Sequence, residues 1–304
     1  MVFTPEMAAR RLLGREPRRW CSLSATYRRE LTLAALVVAM VALWGGRAPA
    51  VELTKATTSR SARDDAIASI PFEQIDERIR GKVATTVHRA EVFRRMPVQV
   101  VDCDPAFFLL LVRRPEIVIN IWQVMSVTKI SMTRQSDTLV LADDGAGTQG
   151  QIEYVHVSPD THVLFADGSY SGSLLSRPVR GECVLVLKCS YHRGPDGQPY
   201  INCRLDAFVD IHNTGLEIVA KGLNPVMGSV ADHNFRETTA FVASLGRAAE
   251  RNPDGVGRLC QRLTRVEPVY LNELMKVSQD CARRAGTTTS DTAPAKNNIA
   301  RQGN

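Results

Sequence analysis

Asp210 and His212 are the pair in this chain best placed for acid–base chemistry. They stand two residues apart in the stretch CRLDAFVDIH, residues 203–212. Successive side chains of a strand take opposite faces. Leu205, Ala207, Val209 and Ile211 therefore share one face, and Arg204, Asp206, Phe208, Asp210 and His212 share the other. A carboxylate beside an imidazole can take up and return a proton. The same alternation also describes a solvated outer sheet face. No Ser or Cys lies in a nucleophile-elbow context that would complete a triad.

A second polar group interrupts a helical stripe. Leu216, Val219, Leu223, Val226 or Met227, Val230, Phe241 and Leu245 recur at helical spacing. Between Val230 and Phe241 the stripe carries His233, Asn234 and Thr238. Polar groups on a core-facing stripe need partners in the protein or in a ligand, and a small rotation of the helix would instead place them at its edge. His233 joins Asp210 and His212 as a candidate acid–base group.

Other polar clusters have simpler readings. Asp104 before Pro105 is a helix N-cap followed by proline at the first helical position, which accounts for one of the neighbours Asp102 and Asp104. Asp143-Asp144-Gly145-Ala146-Gly147 reads as a hairpin turn, because it lacks the spaced oxygen ligands of a calcium loop and the Lys-Ser/Thr of a phosphate loop. Six cysteines follow the leader: Cys103, Cys183, Cys189, Cys203, Cys260 and Cys281. None forms a CxxC or a Cys/His pair at ligand spacing, so no metal site and no cofactor is expected. Cys189 and Cys203 flank a hairpin, and Cys260 and Cys281 could tie down the last helix. Both pairs are disulfide candidates in an exported chain, with buried free thiols as the alternative.

The elements that must position these residues begin after a leader. Residues 31–44, LTLAALVVAMVALW, form an uncharged apolar run preceded by arginines and followed by Arg47-Ala48-Pro49-Ala50. That order predicts a signal peptide over residues 1–50, cleaved after Ala50, or alternatively an uncleaved anchor at residues 31–44. Residues 1–50 carry eight Arg against Glu6, Glu16 and Glu30, so nearly all of the net charge of +6 lies there. A nucleic-acid-binding domain would keep its basic patch in the folded part, which argues against that class. The expected location is periplasmic or extracellular.

Residues 51–70 read as a linker and residues 71–96 as an N-terminal helix with apolar positions at Phe72, Ile75, Ile79, Val83 and Val87. Residues 97–252 hold a short strand at 98–101, two apolar helical segments divided by Pro115, a run of antiparallel hairpins from Val127 to His212, and then the long helix, which Pro225 should kink or divide. A helical extension follows at 253–284 and a tail of disordered composition at 285–304. The fold class expected is α+β, with a curved antiparallel sheet of about six strands wrapped around the long C-terminal helix.

This element order, with Asp102-Cys103-Asp104-Pro105-Ala106-Phe107-Phe108 at the first strand-to-helix entry, resembles the START-like (helix-grip) superfamily of polyketide cyclases and lipid-transfer proteins. The resemblance covers roughly residues 93–252. It implies a cavity between sheet and helix for a lipid-like or aromatic ligand, with Trp122, Phe165, Tyr170, Met227, His233, Asn234, Thr238 and Phe241 as candidate lining. The partner expected is a lipid or other hydrophobic small molecule, with association at a membrane surface, and the charge distribution argues for no nucleic acid. Non-enzymatic carriage of that ligand is the first function expected. The alternatives are a cyclase, dehydratase or hydrolase of the same fold, and an envelope protein with a solid core.

Overall fold

The computed structural model describes residues 55–291 apart from 172–177, 196 and 213–216, with the side chains of 217–227 and 287–291 also outside the description. The expected leader and the Met227 side chain therefore lie outside the described residues. Among the described residues no helix is long and apolar enough to cross a membrane.

Helix α1 (Arg60–Ala68), a 3-10 turn (Phe72–Gln74) and helix α2 (Glu77–Arg89) come first, followed by β1 (Val92–Arg95) and β2 (Gln99–Asp102). Ser59 caps α1 by accepting from the Ala62 N–H, and Asp76 caps α2 by accepting from Arg78. The polar stretch expected as a linker thus contains a helix, because a cap followed by small residues suffices once Ala62 and Ala66 find an apolar surface. Helices α3 (Pro105–Arg113) and α4 (Pro115–Val124) each begin with proline, and the Asp104 side chain accepts from the Ala106 and Phe107 N–H groups as the sequence predicts.

Six long or medium strands follow: β3 (Ser131–Arg134), β4 (Leu139–Asp143), β5 (Thr148–Val157), β6 (Thr161–Tyr170), β7 (Val179–Arg193) and β8 (Pro199–Ile211). The expected count of about six becomes eight, since β1 and β2 pair successively with β8 at one edge. The order is β1-β8-β7-β6-β5-β4-β3, and every pairing is antiparallel. The Asp143–Gly147 turn is the expected hairpin: Gly145 and Gly147 have positive φ (66° and 112°), and Asp144 Oδ1 accepts from the Ala146 and Thr148 N–H groups at 2.7 and 2.9 Å.

Helix α5 (Glu217–Arg251) runs through Pro225 as one continuous helix and is followed by α6 (Pro253–Cys260) and α7 (Pro268–Asp291). Two glycines let α5 approach the sheet edge. A Cβ at Gly228 would stand 2.5 Å from an Arg94 guanidinium nitrogen, and one at Gly246 would overlap the Cys103 sulfur. Beside Gly228, Arg94 Nε donates to Asp232 Oδ1 at 2.7 Å.

The sheet separates two cores. Helices α1 and α2 pack on one face against Phe93, Val163, Phe165, Val184, Val186 and Phe208. Helices α3 to α7 cover the other, where Leu185, Leu187, Leu205 and Ala207 meet Ala231, Phe241 and Leu245 of α5. The expected α+β sheet with a long C-terminal helix over it is what the chain forms. The N-terminal helices add a third layer.

The expected disulfides are absent. All six cysteines of the described residues are buried free thiols, including Cys189 and Cys203, which are direct cross-strand partners on β7 and β8. Burial pushes the Cys183 and Cys281 thiols up to about 12 and Cys260 up to about 11, so none of these three is a ready thiolate. A thiol-specific chromogenic reagent is expected to leave these six unmodified in the native protein and to label them all in denaturant. Labelling of fewer after unfolding without reductant would mean that a disulfide had formed.

Candidate functional site

Alternation along β6, β7 and β8 gives each strand two different faces with different burial. The residues aimed at α1 and α2 are dry: Val163, Val184, Val186 and Phe208 are all 0% exposed. The face aimed at α5 is mixed: His162, Cys183 and Ala207 are buried there. Leu164, Ala166, Leu185, Leu187 and Val209 are half-buried, although they lie on inner strands of an eight-stranded sheet beneath a helical layer. Leu185 and Leu187 pack against the core shared with α5, and Leu164 and Ala166 pack with Trp122 beside α4. The candidate site is this apolar layer between the sheet and helices α4 and α5.

Helix α5 presents Ala231, Asn234, Thr238, Phe241 and Leu245 at three- and four-residue spacing on one stripe, so the polar interruption is turned inward in part. Asn234 is 2% exposed. Thr238 Oγ1 is buried and has no hydrogen-bond partner within the protein. Such a hydroxyl is costly unless something bonds it. Trp122 of α4 meets Phe241 edge to face, with ring centroids 5.5 Å apart, and Trp122 remains half-buried. Tyr170 lies on the same sheet face at its far end, in contact with Val179 and Ile211.

Two expected lining residues are elsewhere. Phe165 points to the opposite face and is packed with Phe93, Val184 and Phe208 beneath α1 and α2, because it is out of phase with Leu164 by one residue. His233 is 39% exposed and faces Glu237, at 3.9 Å, on the outer side of α5. Burial raises the Glu237 carboxyl above its ordinary value. Asp210 and His212 do share a face, as alternation requires, and it is the face away from α5. Of the three acid–base candidates, the two on β8 are brought together and His233 is separated from both by the sheet.

His162 carries no motif that singles it out in the sequence. It is 0% exposed on the α5 side of β6, and neither ring nitrogen has a hydrogen-bond partner. Burial, with the Arg113 charge nearby, pushes its pKa from 6.5 down to about 4. A histidine depressed in the folded state binds its proton first in the unfolded chain. Its contribution to stability is therefore intact above pH 6.5 and is lost as pH falls through the window from 6.5 to about 4. The loss should reach about 3 kcal/mol. Urea titrations of the wild type and of His162→Phe across that window are the measurement. A parallel fall in both proteins would remove His162 as the cause.

No family model matches this chain, and none of the curated proteins matches it. Solved structures to which it is similar include a conserved protein from Geobacillus kaustophilus, at 12% identity and a TM-score of 0.35, covering 51% of this chain and 94% of that one. Another is Ara h 8.0201, at 8% identity and a TM-score of 0.30, covering 52% of this chain and 97% of that one. A hypothetical protein from Helicobacter pylori aligns at 10% identity and a TM-score of 0.31, covering 52% and 88%. The fold stands on this chain's own strand order and helix packing.

Proposed function

We propose that this protein binds a hydrophobic molecule in the apolar layer between the sheet and α5, as a carrier rather than a catalyst. One observation carries the reading. Beneath α5 the inner strands keep Leu164, Ala166, Leu185, Leu187 and Val209 only half-buried, while Val163, Val184, Val186 and Phe208 beneath α1 and α2 are fully buried. A mostly apolar concavity with few polar groups is the usual form of a small-molecule site. Asn234 and the unpartnered Thr238 hydroxyl supply the polar groups, which would orient one end of an otherwise apolar ligand.

The acid–base alternative is weaker in this layer, because His233 is turned away from it and Asp210 and His212 lie across the sheet. The apolar run at residues 31–44, with its flanking arginines and Ala48-Pro49-Ala50, extends the proposal to an exported protein that acts in the periplasm, outside the cell or at a membrane surface.

The test is native mass spectrometry and solvent extraction of detergent-free protein, followed by titration with N-phenyl-1-naphthylamine. A co-purifying lipid-sized mass, or saturable probe fluorescence at one site per chain, is expected. A single unliganded mass together with non-saturating fluorescence would overturn the reading.

A further inference from the structure

Three donor side chains converge at one end of β7 and β8, on the sheet face away from the apolar layer. Glu182 of β7 is the direct cross-strand partner of Asp210 of β8, and His212 follows two residues on. Strand alternation brings all three to the same face. One donor atom from each lies within 4.8 Å of the others. His212 Nε2 stands 3.8 Å from Glu182 Oε2 and 3.8 Å from Asp210 Oδ2.

The electrostatics of the group are left unbalanced by the protein itself. Asp210 is 1% exposed, and its Oδ1 is buried without a hydrogen-bond partner. Arg89 reaches Asp210 Oδ2 only at 3.5 Å, from a side chain 64% exposed. A buried carboxylate with a bare oxygen among two further carboxylates is a costly arrangement unless a cation joins it.

The supporting contacts hold the ligand set in place. The fully buried Thr86 donates through Oγ1 to Glu182 Oε2 at 2.8 Å, and the Ile211 N–H donates to Glu91 Oε2 at 2.9 Å. Partners of this kind orient metal ligands in known sites. Beside the group runs a trough of about 710 Å³ on the same face, lined by apolar residues such as Leu141 and by Gln149, Gln151, Asp167, Ser169 and Arg180. Arg180 neighbours His212, whose N–H donates to the Arg180 carbonyl at 3.0 Å.

We propose that Glu182, Asp210 and His212 form a binding site for a divalent transition-metal ion of the zinc or manganese class. One imidazole with two carboxylates suits such ions. Around an ion with bonds of about 2.0–2.2 Å, donors stand roughly 3.0–3.6 Å apart, so the set closes by a shift of about 1 Å. Three protein ligands leave a coordination position for water or an incoming group. The trough lies on the same face, and its Arg180 suits an anionic group on the same ligand.

The test uses the full chain, stripped with chelator and titrated with Co²⁺ alone. A visible d–d absorption saturating at one ion per chain is expected, with a rise in melting temperature. His212→Ala and Asp210→Asn are each expected to weaken binding by more than about tenfold and to abolish the rise. His212 is 37% exposed at a strand end, so its replacement keeps the fold, which circular dichroism verifies. Asp137→Asn, 89% exposed on the β3–β4 turn, should bind as the wild type does. Absence of saturation at one equivalent, or binding by His212→Ala equal to wild type, would overturn the proposal.

Discussion

Glu116→Gln is expected to lower stability by about 3–5 kcal/mol and the melting temperature by on the order of 10 °C, measured by urea and thermal unfolding. Glu116 sits in the first turn of α4 and Arg134 on β3, and both side chains are 3% exposed. Arg134 Nε and Nη2 donate to the two Glu116 carboxylate oxygens at 2.6 and 2.9 Å. The same guanidinium donates to the Asp137 carbonyl at 2.9 Å and the Arg113 carbonyl at 2.8 Å. It therefore fastens the end of α3, the start of α4 and the β3–β4 turn at one point. Glutamine keeps the shape and removes the charge, leaving a buried cation without its counter-ion. The surface pair Arg78–Glu153, with Arg78 66% exposed, gives the contrast: Arg78→Ala should shift the melting temperature by under about 2 °C. If both variants fell within that smaller range, the anchoring role assigned to Arg134 would be wrong.

Leu185→Trp is expected to leave the fold stable within about 1 kcal/mol and to weaken binding of the apolar probe by more than about tenfold, as the indole fills space that a ligand would occupy. Val184→Trp, one residue away, should do the reverse. It should destabilise by about 1–3 kcal/mol while the remaining folded protein binds the probe normally. Val184 is 0% exposed in the core beneath α1 and α2, so added volume has nowhere to go. Leu185 is half-buried on the α5 side, where the proposed ligand would lie. Equal destabilisation by both substitutions would show that the α5 side is filled.

Alternation alone makes β8 legible: Leu205, Ala207 and Val209 fall on one face, Asp206, Phe208 and Asp210 on the other, and the pairing with β7 bears this out. The Asp104-Pro105 cap and the Asp143–Gly147 turn are legible for a related reason, since each is settled within a few residues by hydrogen bonds of its own side chains. Phe165 is not placed correctly by the same logic, because a strand's period fixes which residues share a face and leaves open which face meets which helix. The helix at Arg60–Ala68 escapes the sequence because its stability comes from packing and its own pattern is weak.

What the sequence by itself determined is therefore local: the α+β class, the element order, the caps, the turns and the division of each strand into two sets of side chains. Only the tertiary structure decided that Val163, Val184, Val186 and Phe208 are fully buried while Leu164, Leu185 and Leu187 are half-buried, and that the cysteines stay thiols. It alone set Glu182 beside Asp210, 28 positions away in the chain, and near His212. The physical reason is that antiparallel register joins residues whose separation depends on every hairpin between them. Burial, in turn, depends on which helix each face receives.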